Sequence, residues 1–295
     1  MSGFHEGELA VQRRAGVSGD AARLEGMLAP ADLDGGIGDF LAQRDFAVLT
    51  ARDRTGRLWT SPLGGPPGFL DGDGRRLTIH ALPTEADPLH ELPSGQAVGL
   101  IAVDFDRRRR VRINGVLAGV SDAGLEIDVE QAFGNCPRYI HRRRLDPTDP
   151  PARPGRARWS RTLTDAQRET LHRTETLFVG TLHPGRGADA SHRGGPPGFV
   201  RTEGDRIWWP DYPGNNMFTT FGNLAVDDTA ALLVVDFERG TALHLSGRAV
   251  VEWSAPAPPG SVDDEGGTGR RVSFVPSGIV ETDDLPWGAA ERTAR

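Results

Sequence analysis

The chain has 295 residues with 37% hydrophobic content and a net charge of −7, which allows two ordinary domains and argues against non-specific nucleic-acid binding, since that needs excess basic charge. No apolar run approaches the ~20 residues that cross a bilayer, so no membrane partner is expected. All 34 basic residues are arginine, which excludes lysine-centred chemistry and leaves any phosphate to Arg, hydroxyls or backbone N–H groups; the one cysteine, Cys136, excludes an internal disulfide.

Residues 1–43 read as helical, with helices expected from Phe4, over Ala22–Leu28 and over Ile37–Gln43. The N-terminus has no signal-peptide layout, so the cytoplasm is the expected location. From Phe46 the pattern turns to strands: Phe46–Thr50 and Arg57–Leu63 form a hairpin around Asp53-Arg54-Thr55-Gly56. Further strands are expected at Arg76–His80, Val98–Phe105, Val111–Val120 and Leu125–Val129, with a short helix at Thr84–Leu92. Pro137 suits the first position of a helix capped by Asn135 or Cys136. A proline-rich linker follows, and Thr164-Asp165-Ala166-Gln167 is a capping box for a helix to about His172.

The strand order then repeats. Gly64–Phe69 reads GGPPGF, and so does Gly194–Phe199, an offset of 194 − 64 = 130 residues. Leu177–Leu182 matches Ala47–Arg52, and Ala231–Phe237 and Leu243–Val251 match Ile101–Phe105 and Val111–Gly119. The expected layout is N-terminal helices and a first barrel over 1–145, a linker over 146–160, a second barrel over 161–290 with a flexible loop at 254–270, and a tail over 291–295. Short antiparallel strands punctuated by glycine suggest small barrels, closed so that no edge is exposed.

The second copy carries more chemistry. Asn215 or Asn216 would cap a short helix to about Leu224, whose free N–H groups, Thr219, Thr220 and nearby Arg193 make a phosphate site. Trp208, Trp209, Tyr212 and Phe218 offer aromatic surface for a flat ligand. His5 and Glu6 read as helix packing rather than catalysis, Cys136 as a capping or core thiol, and Arg138 and Arg142–Arg144 as a solvated face. His172 and His183 are not spaced as metal ligands with other His, Asp or Glu residues, so no metal is expected.

The stretches FHEGELAVQRRAG (4–16), SPLGGPPGF (61–69), FGNCPRYI (133–140), SHRGGPPGFV (191–200), LSGRAVVEW (245–253) and the run from Trp209 to Leu224 resemble the pyridoxamine 5′-phosphate oxidase-like, FMN-binding split-barrel family, within it a bacterial group with two tandem barrels. The resemblance implies a mainly β (α+β) fold of two six-stranded antiparallel Greek-key split barrels with peripheral short helices. It also implies FMN between the barrels, with deazaflavin or haem as alternatives, a small-molecule substrate or electron donor, and a homodimer as an allowed further assembly. By position it points to Ser191, Arg193, Asn216, Thr219 and Thr220 for the phosphate, with His192, Gly194, Asn215, Met217, Phe218 and Asn223 around them. Thr60 and Ser61 hold the equivalent strand of the first copy, where Asp87-Pro88-Leu89-His90-Glu91 places acid at the phosphate position. One site per chain is therefore expected, framed by the second GGPPGF loop, with His192 as the candidate proton donor.

Overall fold

The computed structural model describes residues 3–28, 32–145, 155–255 and 266–285; most of the expected linker, the centre of the 254–270 loop and the tail lie outside them. The chain opens with helices α1 (Glu6–Arg14), α2 (Ser18–Ala22) and α3 (Gly36–Ala42), with a 3-10 turn at Glu25–Leu28. In α1 the His5 ring accepts from Gly7 N and the Glu8 carboxylate accepts from His5 N, a reciprocal cap that satisfies two end groups.

The first sheet contains β1 (Phe46–Arg52), β2 (Leu58–Gly64), β3 (Leu70–Asp73), β4 (Arg76–Ile79), β5 (Ala97–Asp104), β6 (Arg109–Ser121) and β7 (Gly124–Gly134). A short strand, β8 (Ala157–Ser160), and helix α4 (Asp165–Arg173) lead to β9 (Thr176–His183), β10 (Gly187–Gly194), β11 (Arg201–Glu203) and β12 (Arg206–Pro210). Helix α5 (Thr219–Val226) precedes β13 (Thr229–Asp236), β14 (Thr241–Trp253) and β15 (Arg270–Thr282). The first sheet is ordered β2-β1-β5-β6-β7-β4-β3 and the second β10-β9-β13-β14-β15-β12-β11, the same path position by position. Every pairing is antiparallel. This is the mainly β, split-barrel architecture expected.

Four expectations of the fold need correction. Each sheet has seven strands along its path rather than six, and β8, assigned to the linker, pairs with β15. The hydrogen-bonded paths also stay open. One end strand of each path is instead covered by the other sheet: Thr60 O on β2 accepts from His244 on β14 (3.0 Å), and His192 O on β10 accepts from Arg110 on β6 (3.2 Å). These two edges are protected by the neighbouring half, not by closure. Finally, Thr84–Leu92 is a series of turns, not a helix, because the Asp87 carboxylate accepts from Leu89 N and from Ser61 Oγ and so ties the segment to β2.

Each sheet encloses its own core, the first around Leu49, Trp59, Leu100 and Ile113, the second around Val179, Trp209, Leu232 and Phe274. A third core lies between the sheets. It joins Phe46, Val48, Ile101 and Val103 to Phe178, Leu233, Val235 and Phe237. Strands β1, β5, β9 and β13 are thus buried on both faces, which explains their continuous rather than alternating apolar sequence.

The GGPPGF turns serve this core. An added Cβ on Gly65 or Gly195 would sit 2.6 or 2.5 Å from the ring-bearing atoms of Phe69 or Phe199, which fold back and are almost fully buried. Gly68 and Gly198 take φ of 96° and 88°, open to glycine at little cost, and their N–H groups bond to Ala42 O and His172 O at the ends of α3 and α4. The repeated motif is accounted for by packing and helix docking.

Candidate functional site

Two adjoining chambers, of about 60 and 70 Å³, open between the sheets and share Arg112, Asn135, Arg193, Tyr212, Gly214 and Asn215. The first sheet contributes Arg110 and Arg112. They alternate with the core residues Val111 and Ile113 on β6, so their side chains leave the barrel on the face toward β10. The second sheet contributes His192, Arg193 and Gly194 from β10, Asp211 after β12, Arg270 at the start of β15, and the segment leading into α5.

Arg112 Nη1 donates to both Asp189 carboxylate oxygens, at 3.2 and 2.9 Å. Asp211 takes Arg270 Nε at 2.9 Å and lies 3.6 Å from Arg193 Nη1. Burial pushes the Asp211 carboxyl up, against the pull of those two guanidinium groups. Burial, reinforced by Arg112 and Arg193, pushes the Arg110 guanidinium down to about 9, so it stays charged at neutral pH. Arg138 lies in the lining as well. Five guanidinium groups therefore face two carboxylates, a cationic site in an acidic protein. The Nε atoms of Arg110, Arg112 and Arg193 are buried without partners among the described residues.

Helix α5 starts later than expected. Asn215 Oδ1 accepts from Met217 N, so it closes a local turn instead of capping the helix. The N-cap is Phe218, in left-handed backbone (φ 62°) with no side-chain cap. The first bond into the helix is Gly222 N to Phe218 O, which leaves the N–H groups of Thr219, Thr220 and Phe221 ahead of it. Asn216 (φ 63°) and Tyr139 (φ 69°) are also left-handed, so three of the four non-glycine positive-φ residues among those described surround this cavity.

The expected helix at Pro137 is absent. Asn135–Pro137 has no regular structure and a turn follows. Left-handed Tyr139 breaks any helix there, and the segment is used to reach the second half. Tyr139 Oη donates to Pro213 O (3.1 Å), and its ring lies 5.0 Å from Tyr212. The Tyr139 carbonyl passes so close to Gly194 that an added Cβ there would overlap it.

Of the residues singled out in the sequence, Arg193, Asn215, Asn216, Met217, Phe218, Thr219 and Thr220 line the first chamber, and His192 and Gly194 the second. Ser191 lines neither chamber; it lies behind Thr220, whose hydroxyl donates to it at 3.1 Å. Asn223 is turned away, its amide bonded to Thr181 (3.0 Å) and His5 (3.1 Å). Thr60 and Ser61 face Thr50 and Asp87 in the first half and are not at the cavity. Pro196, Pro197 and Gly198 do not line it either, so the GGPPGF loop frames it only through Gly194 and Phe199. His192 is 3% exposed and accepts from Arg110 through Nδ1 (2.8 Å). Burial and the neighbouring arginines hold it well below the ordinary histidine range, so it is neutral at pH 7 and a poor acid.

Arg110, Arg112, Asn135, Asp211 and Arg270 were missed. The signal for the first two was present: Arg110, Arg112 and Asn114 alternate along an otherwise apolar strand.

Helix α1 supports α5. Gly7 and Gly222 meet where any side chain would clash with the opposing backbone, and Gln12 Nε2 donates to Met217 O (3.1 Å). The fold also brings His5, Glu6 and His183 within ligand distance, which spacing had not suggested. Both Nδ1 atoms accept backbone N–H groups, from Gly7 (3.1 Å) and Gly185 (3.0 Å). The protons therefore sit on Nε2, donated to Asn223 Oδ1 and Glu6 Oε1. A metal needs that Nε2 lone pair, with Nδ1–H donating outward. The cluster is a set of hydrogen bonds that tie α1 to β9 and α5.

Residues 163–262 match the family described as Pyridoxamine 5'-phosphate oxidase. No curated protein matches the chain. Similar solved structures include a putative pyridoxamine 5'-phosphate oxidase from Lactobacillus delbrueckii (12% identity, 41% of this chain and 94% of that one, TM-score 0.32). Another is a protein related to general stress protein 26 from Clostridium acetobutylicum (15% identity, 38% and 83% covered, TM-score 0.29). A third is an FAD-binding protein from Mycobacterium smegmatis (9% identity, 43% and 100% covered, TM-score 0.29).

Proposed function

We propose that this chain, whose residues 163–262 match the pyridoxamine 5'-phosphate oxidase family, binds a flavin mononucleotide between its sheets and acts as a flavin-dependent oxidoreductase on a small molecule. The observation that carries the reading is the uncapped start of α5 facing Arg193, whose Nε is buried and unpartnered. A phosphate there would accept from the α5 amides and from Arg193. The donor set fits the group. Thr220 is spent on Ser191 as donor and the Thr219 hydroxyl lies against Glu8, so both serve better as positioning groups than as primary anchors. Tyr212 and Phe218 line the same chamber and supply aromatic surface for the ring. Bound flavin would supply the electron transfer, while the protein orients it and limits water.

One observation favours a second reading, a flavin carrier without turnover. The cavity holds no poised acid–base pair among the described residues: His192 stays neutral with its Nδ1 engaged, and Asp211 is held by two arginines. Haem suits the site less well, because the same His192 nitrogen that could ligate iron accepts from Arg110. The absorbance spectrum of purified protein and an FMN titration test the common part. No flavin spectrum and no binding would remove both readings. Reduction of bound FMN by NADH, NADPH or reduced deazaflavin then separates them: rapid reduction supports the enzyme, none with any donor the carrier.

A further inference from the structure

Arg110 differs from the other cations of the cavity. Arg112 has Asp189, and Arg193 and Arg270 share Asp211. Arg110 has no carboxylate partner among the described residues; its Nη1 donates to His192 Nδ1 (2.8 Å) and His192 O (3.2 Å), both uncharged, and its Nε is buried without an acceptor. Withdrawing a guanidinium from water without a counter-charge is costly. A second orphan adjoins it. Because His192 Nδ1 accepts from Arg110, the ring proton is on Nε2, and that atom is also buried without a partner. Arg110 and His192 both line one chamber of about 70 Å³, together with Cys136 and Arg138 among others, and each carries a buried N–H with no partner among the described residues.

We propose that this second chamber is an anion subsite, with Arg110 as its charge partner, that takes the carboxylate or phosphate of the small molecule reacting with the bound cofactor. It extends the flavin reading and rests on it. The two subsites differ in their anchors, the α5 start for the cofactor phosphate and Arg110 with His192 for the second anion, while Arg193, assigned to the cofactor phosphate, lines both chambers. Arg112 and Asn135 line both chambers, so the two ligands would lie side by side. The co-substrate class is therefore an anionic small molecule.

The test is calorimetric titration of the flavin-free and FMN-loaded protein with inorganic phosphate and with acetate, at fixed ionic strength in chloride. Flavin-free protein should bind two phosphates, one lost in Arg193→Gln and the other in Arg110→Gln. FMN-loaded protein should bind one oxyanion, weakened at least tenfold in Arg110→Gln and less in Arg110→Lys, with FMN affinity unchanged in both. Tighter phosphate than acetate binding identifies a phosphorylated co-substrate, the reverse a carboxylate; either supports the subsite. Circular dichroism checks folding, and Arg110→Lys, which keeps the charge but loses the fork, carries the test if the glutamine variant does not fold. No oxyanion binding to the FMN-loaded protein, or equal binding by the Arg110 variants, overturns the proposal. So does a tenfold loss of FMN affinity in Arg110→Gln, which would assign Arg110 to the cofactor. If FMN never binds while the Arg110-dependent site persists, the flavin reading falls and the anion site stands.

Discussion

Arg112 on β6 and Asp189 on β10 form a buried ion pair across the two sheets, with Nη1 3.2 and 2.9 Å from the two carboxylate oxygens. Breaking such a pair from one side leaves a buried charge unpaired, which costs about 3–5 kcal/mol. Asp189→Asn should lose that much in urea denaturation, while replacing both residues with Met and Leu should recover most of it. A single variant as stable as the parent would show that the pair contributes nothing.

Gly194 marks the place where the 135–140 segment of the first half passes over β10. A methyl group there would displace the Tyr139 carbonyl, so Gly194→Ala should cost about 1–3 kcal/mol. It should also separate Tyr139 from Tyr212 and change tyrosine fluorescence. Unaltered stability and emission would mean that the segment is not pinned at this point.

Glu8 is buried, and burial pushes its carboxyl from 4.5 up to about 7. A raised folded value means that this group's contribution is fully present below about pH 4.5 and is lost as pH rises through about 7. Glu8→Gln keeps an acceptor for His5 N but has no proton to lose. Its stability relative to the parent should rise by about 2–3 kcal/mol between pH 4.5 and 8. His5, lowered to about 4 by burial, acts in the opposite sense, since stability is lost as pH falls from 6.5 toward 4. That contribution is common to both proteins, so a pH-independent difference between them would sink the assignment to Glu8.

Arg193→Gln should weaken FMN binding by about 1–3 kcal/mol, roughly fivefold to 150-fold, in a fluorescence-quenching titration. Ser61→Ala should leave it unchanged, because Ser61 donates to Asp87 away from the cavity (2.6 Å). Equal effects of the two substitutions would place the phosphate elsewhere.

Much of the fold was legible in residues that act locally. The Thr164 capping box sets α4, and the GGPPGF turns return Phe69 and Phe199 to their cores. The uninterrupted apolar runs of β1, β5, β9 and β13 report strands buried on both faces. Where local signals were misread, a long-range contact had taken over the group in question. Pro137 and Asn135 look like a helix start, yet that backbone is drawn to Gly194 and Pro213. Asp87 reads as acid at a phosphate position, and in the fold it is bonded to Ser61.

For the site, the sequence by itself pointed to the second-half contribution: an arginine on a strand, followed two short strands later by a helix with two threonines in its first turn. Those features lie within some 30 residues and follow from local backbone geometry. Only the tertiary structure decided that Arg110, Arg112 and Asn135 from the first half face them, that Asn223 and Ser61 do not, and that Arg110 has no carboxylate partner among the described residues. Charge pairing across an interface depends on how two sheets dock. The burial of the third core sets that docking, and spacing along one chain does not encode it.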